Sequence, residues 1–166
     1  MTTLTPVSTS AEIQLLADTA NTVWHEYFSS LLSPEQIDYM VDKFQSVPAL
    51  TQQLAEGYQY FLLKQDGQPA GYTGIHGEET RLFLSKLYVL KPYRKQGLSS
   101  LMLKKIMEVA KETGKASIYL TVNKYNQNSI EVYEHKGFST IDSVVTDIGH
   151  GFVMDDYIME LPLEKA

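Results

Sequence analysis

The chain has 166 residues, a length that suits one domain, 1–166, with a real core. Hydrophobic residues make up 43%, charged residues 20%, and the formal net charge is −6. That balance is globular, argues against nucleic acid as the main partner and leaves room for a cationic small substrate. Cysteine is absent, which excludes disulfides, thiol catalysis and cysteine metal sites and is compatible with a reducing cytoplasm, the expected location. The four histidines, His25, His76, His135 and His150, have no metal-ligand spacing, so no metal is expected. The opening MTTLTPVSTSAEIQLL lacks the basic and apolar regions of a signal peptide, and no apolar run approaches a membrane span.

In chain order, residues 10 to 28 read as a helix capped by Ser10, with Ile13, Leu16, Ala17, Ala20, Val23, Trp24 and Tyr27 at helical spacing. Ser33-Pro34-Glu35-Gln36 starts a second helix, with Ile37, Met40, Val41 and Phe44 as its stripe and Pro48 as its expected breaker. A short helix then runs to Gly57. Tyr58 to Lys64, Ala70 to His76 and Leu82 to Leu90 read as three strands of an antiparallel meander, turned at Asp66-Gly67 and at Gly77-Glu78-Glu79. A helix from about Leu98 to Thr113 is expected to bury Leu101, Leu103, Ile106, Met107 and Ala110. Ala116 to Val122 is the next strand, so strand, helix and parallel strand form a right-handed crossover. Asn126 to Lys136 is a helix, and Ser139 to Thr146 with Phe152 to Leu161 closes the chain as a hairpin. The expected fold class is mixed α/β, a central twisted mixed sheet with helices on both faces.

The stretch YRKQGLSS, Tyr93 to Ser100, lies where a strand becomes a helix. The helix start exposes unpaired amides and the positive end of its dipole. Gly97 lets a ligand approach the backbone, Ser99 and Ser100 keep the first turn small, and Arg94 and Lys95 add positive charge. Such a turn suits phosphate, although by itself it reads more plainly as a basic turn whose glycine serves backbone geometry. Neither G-x-G-x-x-G nor a P-loop is present.

Taken together, LYVLKPYRKQGLSSLMLKKIM, IYLTV and NQNSIEVYEHKGF resemble the GNAT superfamily of acetyl-CoA-dependent N-acetyltransferases. Arg94, Gly97 and Ser99 stand at the family's phosphate-loop positions. Asn126, Ser129, Tyr133, Gly137 and Phe138 match its later signature. The resemblance covers most of residues 58 to 161. It implies the GNAT fold, acetyl-CoA as co-substrate, and a pyrophosphate cradle from the amides of Arg94, Lys95, Gln96, Gly97, Leu98 and Ser99. It also implies a splayed strand whose Leu87, Tyr88 and Val89 backbone pairs with pantetheine and the acetyl carbonyl, with a donor near Val89 for the oxyanion. Asn126 would hydrogen-bond the pantetheine arm, with Asn128 a less defined neighbour; a helix N-cap is the competing reading of Asn126. Tyr133 would protonate the leaving thiolate, against the plainer reading of a packed tyrosine.

The pattern departs at the base. Relatives carry a glutamate on the third strand, where this chain has Phe83 and Ser85. His76, Glu78, Glu79 and a water chain past Ser85 are the alternatives. DIGHGFVMDDYIME resembles the end of small bacterial polyamine and amine acetyltransferases, with Met154-Asp155-Asp156-Tyr157 its suggestive part. Acids there would attract a cationic amine, and Trp24, Tyr27 and Phe28 could wall the acceptor site, although helix core explains them as well. The expected function is acetyl transfer to a primary amine, a small amine or a protein amine, by direct attack. The alternative is a non-catalytic acetyl-CoA-binding regulatory domain, kept open by Ser85. No nucleic acid or membrane partner is expected; the closing hairpin edge could pair two copies as a homodimer.

Overall fold

The structure, a computed structural model, describes residues 1–163. Its elements run β1 (Thr2–Pro6), α1 (Ser10–Phe28), α2 (Pro34–Gln45), α3 (Val47–Ala55), β2 (Tyr58–Gln65), β3 (Gln68–Gly77), β4 (Arg81–Val89), a 3-10 turn (Lys91–Tyr93), α4 (Leu98–Glu112), β5 (Ser117–Asn123), α5 (Gln127–His135), β6 (Ser139–Gly149) and β7 (Phe152–Pro162). One mixed sheet of seven strands has the order β1-β2-β3-β4-β5-β7-β6. The β4–β5 pair is parallel, as a crossover through α4 requires, and the pairs β1–β2, β2–β3, β5–β7 and β6–β7 are antiparallel.

Local chemistry explains the boundaries. Asp66 and Gly67 turn the β2–β3 hairpin with φ of 51° and 82°, the left-handed pair that a two-residue loop needs. The cap of α1 is Thr9, one residue before the expected Ser10. Its hydroxyl accepts from the Glu12 amide, and the Glu12 carboxylate accepts from the Thr9 amide at 2.8 Å. Those bonds hold the Glu12 carboxyl down to about 2. Pro48 does not break α2, which ends at Gln45; it sits in the first turn of α3, capped by Ser46, where a missing N–H is harmless.

Two features differ from the sequence reading. Leu101 is 41% exposed, while Met102 is fully buried. Three consecutive apolar residues cannot all face inward on a helix turning 100° per residue, and the spacing alone does not say which one turns out. Strand β1 was not expected, because TTLTP is short and lacks a clean alternation; its edge pairing with β2, Thr2↔Gln65 to Pro6↔Phe61, supplies the order.

The chain forms two compact units, Met1–His76 with Ser85–Ile106, and Gly77–Leu84 with the chain from Met107 on. In the first unit, Leu63, Ala70, Val89, Leu98 and Met102 form a buried apolar cluster flanked by Leu4, Leu87 and Tyr93. This cluster anchors the end of β4 and the start of α4, so the turn between them rests on close-packed core. In the second unit, β5 pairs with β7 over its whole length, from Ser117↔Pro162 to Asn123↔Asp156, and buries Ile118 and Leu120.

A buried polar chain ties the helices of the first unit to its strands. Trp24 Nε1 donates to the Tyr72 hydroxyl at 2.9 Å, and that hydroxyl donates to Gln45 Oε1 at 2.6 Å. Gln45 Nε2 donates to the Tyr60 hydroxyl at 3.3 Å, which donates in turn to Gln53 Oε1. Tyr72 is fully buried, and burial pushes its phenol well above the ordinary range, so it stays neutral. We expect Tyr72→Phe to leave the Trp24 N–H without an acceptor and to lower the unfolding free energy by about 1–3 kcal/mol. Urea denaturation measures it; a loss below about 0.5 kcal/mol would show that the chain of bonds contributes little net stability.

At the end of α1, both ring nitrogens of His25 face acceptor oxygens, Asn21 O at 2.8 Å and Asp38 Oδ1 at 2.7 Å. The Asn21 carbonyl and then Asp38 raise its pKa from 6.5. A raised folded pKa means stability that is present below 6.5 and is lost as pH rises through the raised value. The melting-temperature difference between the wild type and Asp38→Asn is therefore expected to be larger near pH 6 than near about pH 8.5. A difference that grows with pH would contradict this.

Candidate active site

The phosphate-loop residues lie on the end of β4, the turn after it and the start of α4, and the residues of the later signature lie on α5. Leu90 N–H donates to Ala70 O at 2.7 Å, and Lys86 O accepts from Thr73 Oγ1 at 2.6 Å. Even-numbered residues of β4 thus turn their backbone groups toward β3. By strand alternation, Leu87 and Val89 turn theirs the other way. The parallel ladder to β5 runs from Arg81↔Ser117 to Phe83↔Tyr119, while β4 itself continues to Val89.

The turn is curled. Lys95 and Gly97 are left-handed, with φ of 65° and 77°. A Cβ on Gly97 would meet nothing within 4 Å, so the space over this glycine is open. Leu101 N–H donates to Gly97 O at 3.1 Å, which starts α4 and leaves the amides before it at the positive end of the helix. The backbone from Arg94 to Ser99 can therefore receive a phosphate oxygen, as the cradle reading requires.

The Arg94 side chain is turned inward. Its Nε donates to Val89 O at 3.0 Å, its guanidinium carbon lies 4.4 Å from the centre of the Tyr27 ring, and NH2 is 3.7 Å from Glu26 Oε1. Glu26 Oε1 also accepts from the Lys91 amide at 3.0 Å. One carboxylate on α1 thus fastens both the 3-10 turn and the arginine. Burial pushes the Tyr27 hydroxyl up, opposed by the Arg94 charge and the Val89 backbone. Sequence reading missed Glu26, because an exposed-looking glutamate on a helix gives no sign of a partner far along the chain.

Tyr88 packs against Tyr27 at 5.1 Å, Tyr72 at 5.6 Å, Trp24 at 6.2 Å and Phe28 at 6.4 Å between ring centres. Trp24 is buried, while Tyr27 and Phe28 are half-buried. The aromatics at the end of α1 thus combine one core ring with two half-buried ones.

Of the base candidates, Ser85 Oγ accepts from Lys86 Nζ at 2.9 Å. A hydroxyl facing an ammonium is a poor proton acceptor. His76 stacks on Tyr58 at 4.5 Å, and Glu78 accepts from the Tyr119 hydroxyl. His76, Glu78 and Glu79 all precede Arg81, whereas Val89 ends the nine-residue strand.

On α5, Asn126 is the N-cap; its side chain accepts from Ser129 N–H at 3.2 Å. The helix N-cap, the competing reading of Asn126, is thus present. Asn128 is exposed. Tyr133 is half-buried, edge-on to Phe138 at 5.5 Å. Asp155 pairs with Lys124 at 2.8 Å, which raises the lysine's pKa and neutralises an acid read as an amine attractant. Asp156 is buried. Among the described residues no group of three or more His, Asp or Glu side chains could hold a metal.

Comparison with known proteins agrees with this geometry. Residues 18–138 match the family described as Acetyltransferase (GNAT). The uncharacterized N-acetyltransferase YjgM of Escherichia coli is 33% identical over 98 residues, which cover 57% of this chain and 59% of that protein. An uncharacterized N-acetyltransferase of Mycobacterium tuberculosis is 28% identical over 130 residues, covering 77% and 83% of the two chains. Among solved structures, the PaiA N-acetyltransferase of Thermoplasma acidophilum, in complex with coenzyme A, superposes with a TM-score of 0.84 at 18% identity, over 98% of this chain and 99% of the other. A GNAT family acetyltransferase from Elizabethkingia anophelis with acetyl-CoA bound gives 0.62 at 15% identity, over 98% of each. With a seven-stranded mixed sheet, a curled turn after β4 and most of its length matched, the chain belongs to the GNAT family of acetyltransferases.

Proposed function

We propose that the chain transfers the acetyl group of acetyl-CoA to a primary amine by direct attack. The observation that carries this reading is the junction of β4 and α4: an outward-facing Val89 N–H followed by a left-handed, open-topped turn at a helix start. The amides of Arg94, Lys95, Gln96, Gly97, Leu98 and Ser99 hold the pyrophosphate. The backbone of Leu87, Tyr88 and Val89 receives the pantetheine arm and the thioester. The amine nitrogen attacks the thioester carbon, and Val89 N–H stabilises the oxygen as it becomes negative. As the C–S bond breaks, Tyr133 protonates the departing thiolate, and Asn126 hydrogen-bonds the pantetheine arm.

The amine must also lose a proton, and β4 offers no carboxylate to take it. Ser85 stands there with Lys86 on its hydroxyl. The proton therefore leaves to water, and the enzyme uses the fraction of acceptor that is already neutral. The half-buried rings of Tyr27 and Phe28 favour an amine with an apolar body. The acceptor is a small amine or a protein amine, met as a freely diffusing partner, and cytoplasm is the setting that fits the absence of cysteine.

Three outcomes test this. With an amine panel, release of free CoA should be amine-dependent, and kcat/KM should rise with pH toward the amine's own pKa, near about 10 for an alkyl amine. A plateau near neutrality would reveal a protein base. Tight acetyl-CoA binding with no turnover on any amine would favour a regulatory domain instead. Tyr133→Phe should lower kcat about 100-fold with acetyl-CoA affinity nearly unchanged; a matching loss of affinity would make the tyrosine a binding or packing residue. Gly97→Ala should fold, at a cost of about 1–2 kcal/mol for a left-handed side chain. It should lose much of the thermal stabilisation that CoA gives the wild type. Full stabilisation by CoA would remove the turn from the cofactor site.

A further inference from the structure

We propose that Gly71 and Arg94 are positioning residues for the acyl carbonyl: they lock the two peptides flanking Val89, so that its N–H is aimed before the thioester arrives. The proposal rests on the reading of Val89 as the oxyanion donor. Neither residue touches the reacting atoms in it, and both act through Val89.

The first lock is steric. Gly71, on β3, is fully enclosed against β4. A Cβ there would press on the Tyr88 carbonyl oxygen well inside van der Waals contact, and would stand 3.0 Å from Val89 Cα and 3.2 Å from the Tyr88 carbonyl carbon. All three neighbours are backbone, which cannot swing aside as a side-chain tip can. The Tyr88 carbonyl can therefore approach β3 only because residue 71 has no side chain. The Tyr88–Val89 peptide is planar and trans, so its N–H points opposite to its C=O. Seating the Tyr88 oxygen over Gly71 thereby aims the Val89 N–H away from β3.

The second lock holds the next peptide at both ends. Leu90 N–H donates to Ala70 O at 2.7 Å, and Val89 O accepts from Arg94 Nε at 3.0 Å. The guanidinium is itself immobilised over Tyr27 and beside Glu26. Val89 is 5% exposed and packs with Ala70 and Leu98. Backbone on both sides of the donor is therefore fixed in the free protein, which is the condition under which a dipole stabilises a transition state without reorganising. A side chain at 71 would rotate the first peptide, and loss of the Arg94 donor would release the second.

The experiment reads the carbonyl directly. Acetyl-CoA carrying a 13C label at the acetyl carbonyl is bound at saturation without amine, and its infrared stretch is compared with that of the free thioester. In the wild type the band should move to lower frequency. In Gly71→Ala that shift should shrink or vanish, kcat should fall about 100-fold, and the affinity for CoA itself should stay within about threefold. Gly74→Ala is the control on the same strand: its Cβ would meet the Tyr60 ring at 2.6 Å, so it should lose stability but keep the shift. Arg94→Met removes the second lock, and its shift at saturation is independent of any loss of affinity. It decides the matter if Gly71→Ala does not fold. A shift kept in full by Gly71→Ala and Arg94→Met overturns the positioning role while leaving the Val89 reading intact. A wild type with no shift sinks the Val89 reading itself. Equal losses of kcat and CoA affinity in Gly71→Ala, with the shift retained, would mark Gly71 as a packing residue and also overturn the proposal.

Discussion

A backbone amide that leaves the edge of a strand has to find an acceptor, and the end of β4 is organised around that requirement. Its even-numbered residues bond toward β3, as the Leu90–Ala70 bond shows, and its odd-numbered residues turn outward. The ladder to β5 ends at Phe83↔Tyr119, so the outward groups of Leu87 and Val89 lie beyond the paired stretch. A thioester and its pantetheine amides offer the complementary groups. The turn that follows continues the same logic, since Lys95 and Gly97 are left-handed and the space over Gly97 is open.

The surrounding structure makes that edge rigid. The apolar cluster of Leu63, Ala70, Val89, Leu98 and Met102 holds the strand end and the helix start in one packed block. The buried bonds from Trp24 through Tyr72 and Gln45 fix α1 and α2 against β3. α1 then presents Glu26 to the 3-10 turn and Tyr27 to Arg94. An arginine placed by the family pattern beside the phosphates thus has a structural task as well, holding the Val89 carbonyl. α1 thus bears on both the 3-10 turn and the arginine that holds the Val89 carbonyl.

The sequence made the fold largely legible, because its signals are local. Asp66-Gly67 and the Ser33-Pro34 start are short-range chemistry, and the crossover follows from a strand, a helix and a strand in succession. β1 was illegible, since an edge strand owes its order to its partner. The face of α4 was misread at Leu101, where three apolar residues in a row hide the phase. The N-cap reading of Asn126 was legible in the sequence, and the Ser129 bond bears it out. Glu26, Gly71 and the inward course of Arg94 were not legible. Each depends on a contact between residues far apart in the chain, which a pattern of neighbours does not encode. Ser85 stands where the family pattern has a glutamate, and its hydroxyl accepts from the Lys86 ammonium.

The central claim is that the outward edge of β4 and the turn after it hold acetyl-CoA. Residue-resolved amide hydrogen exchange, with and without acetyl-CoA, tests it most directly. The account predicts new protection at Leu87, Val89 and the amides from Lys95 to Ser99, with Leu90 unchanged because it already bonds to Ala70. Saturating acetyl-CoA that leaves Val89 and the turn as exchangeable as before, while protecting a different segment, would contradict it.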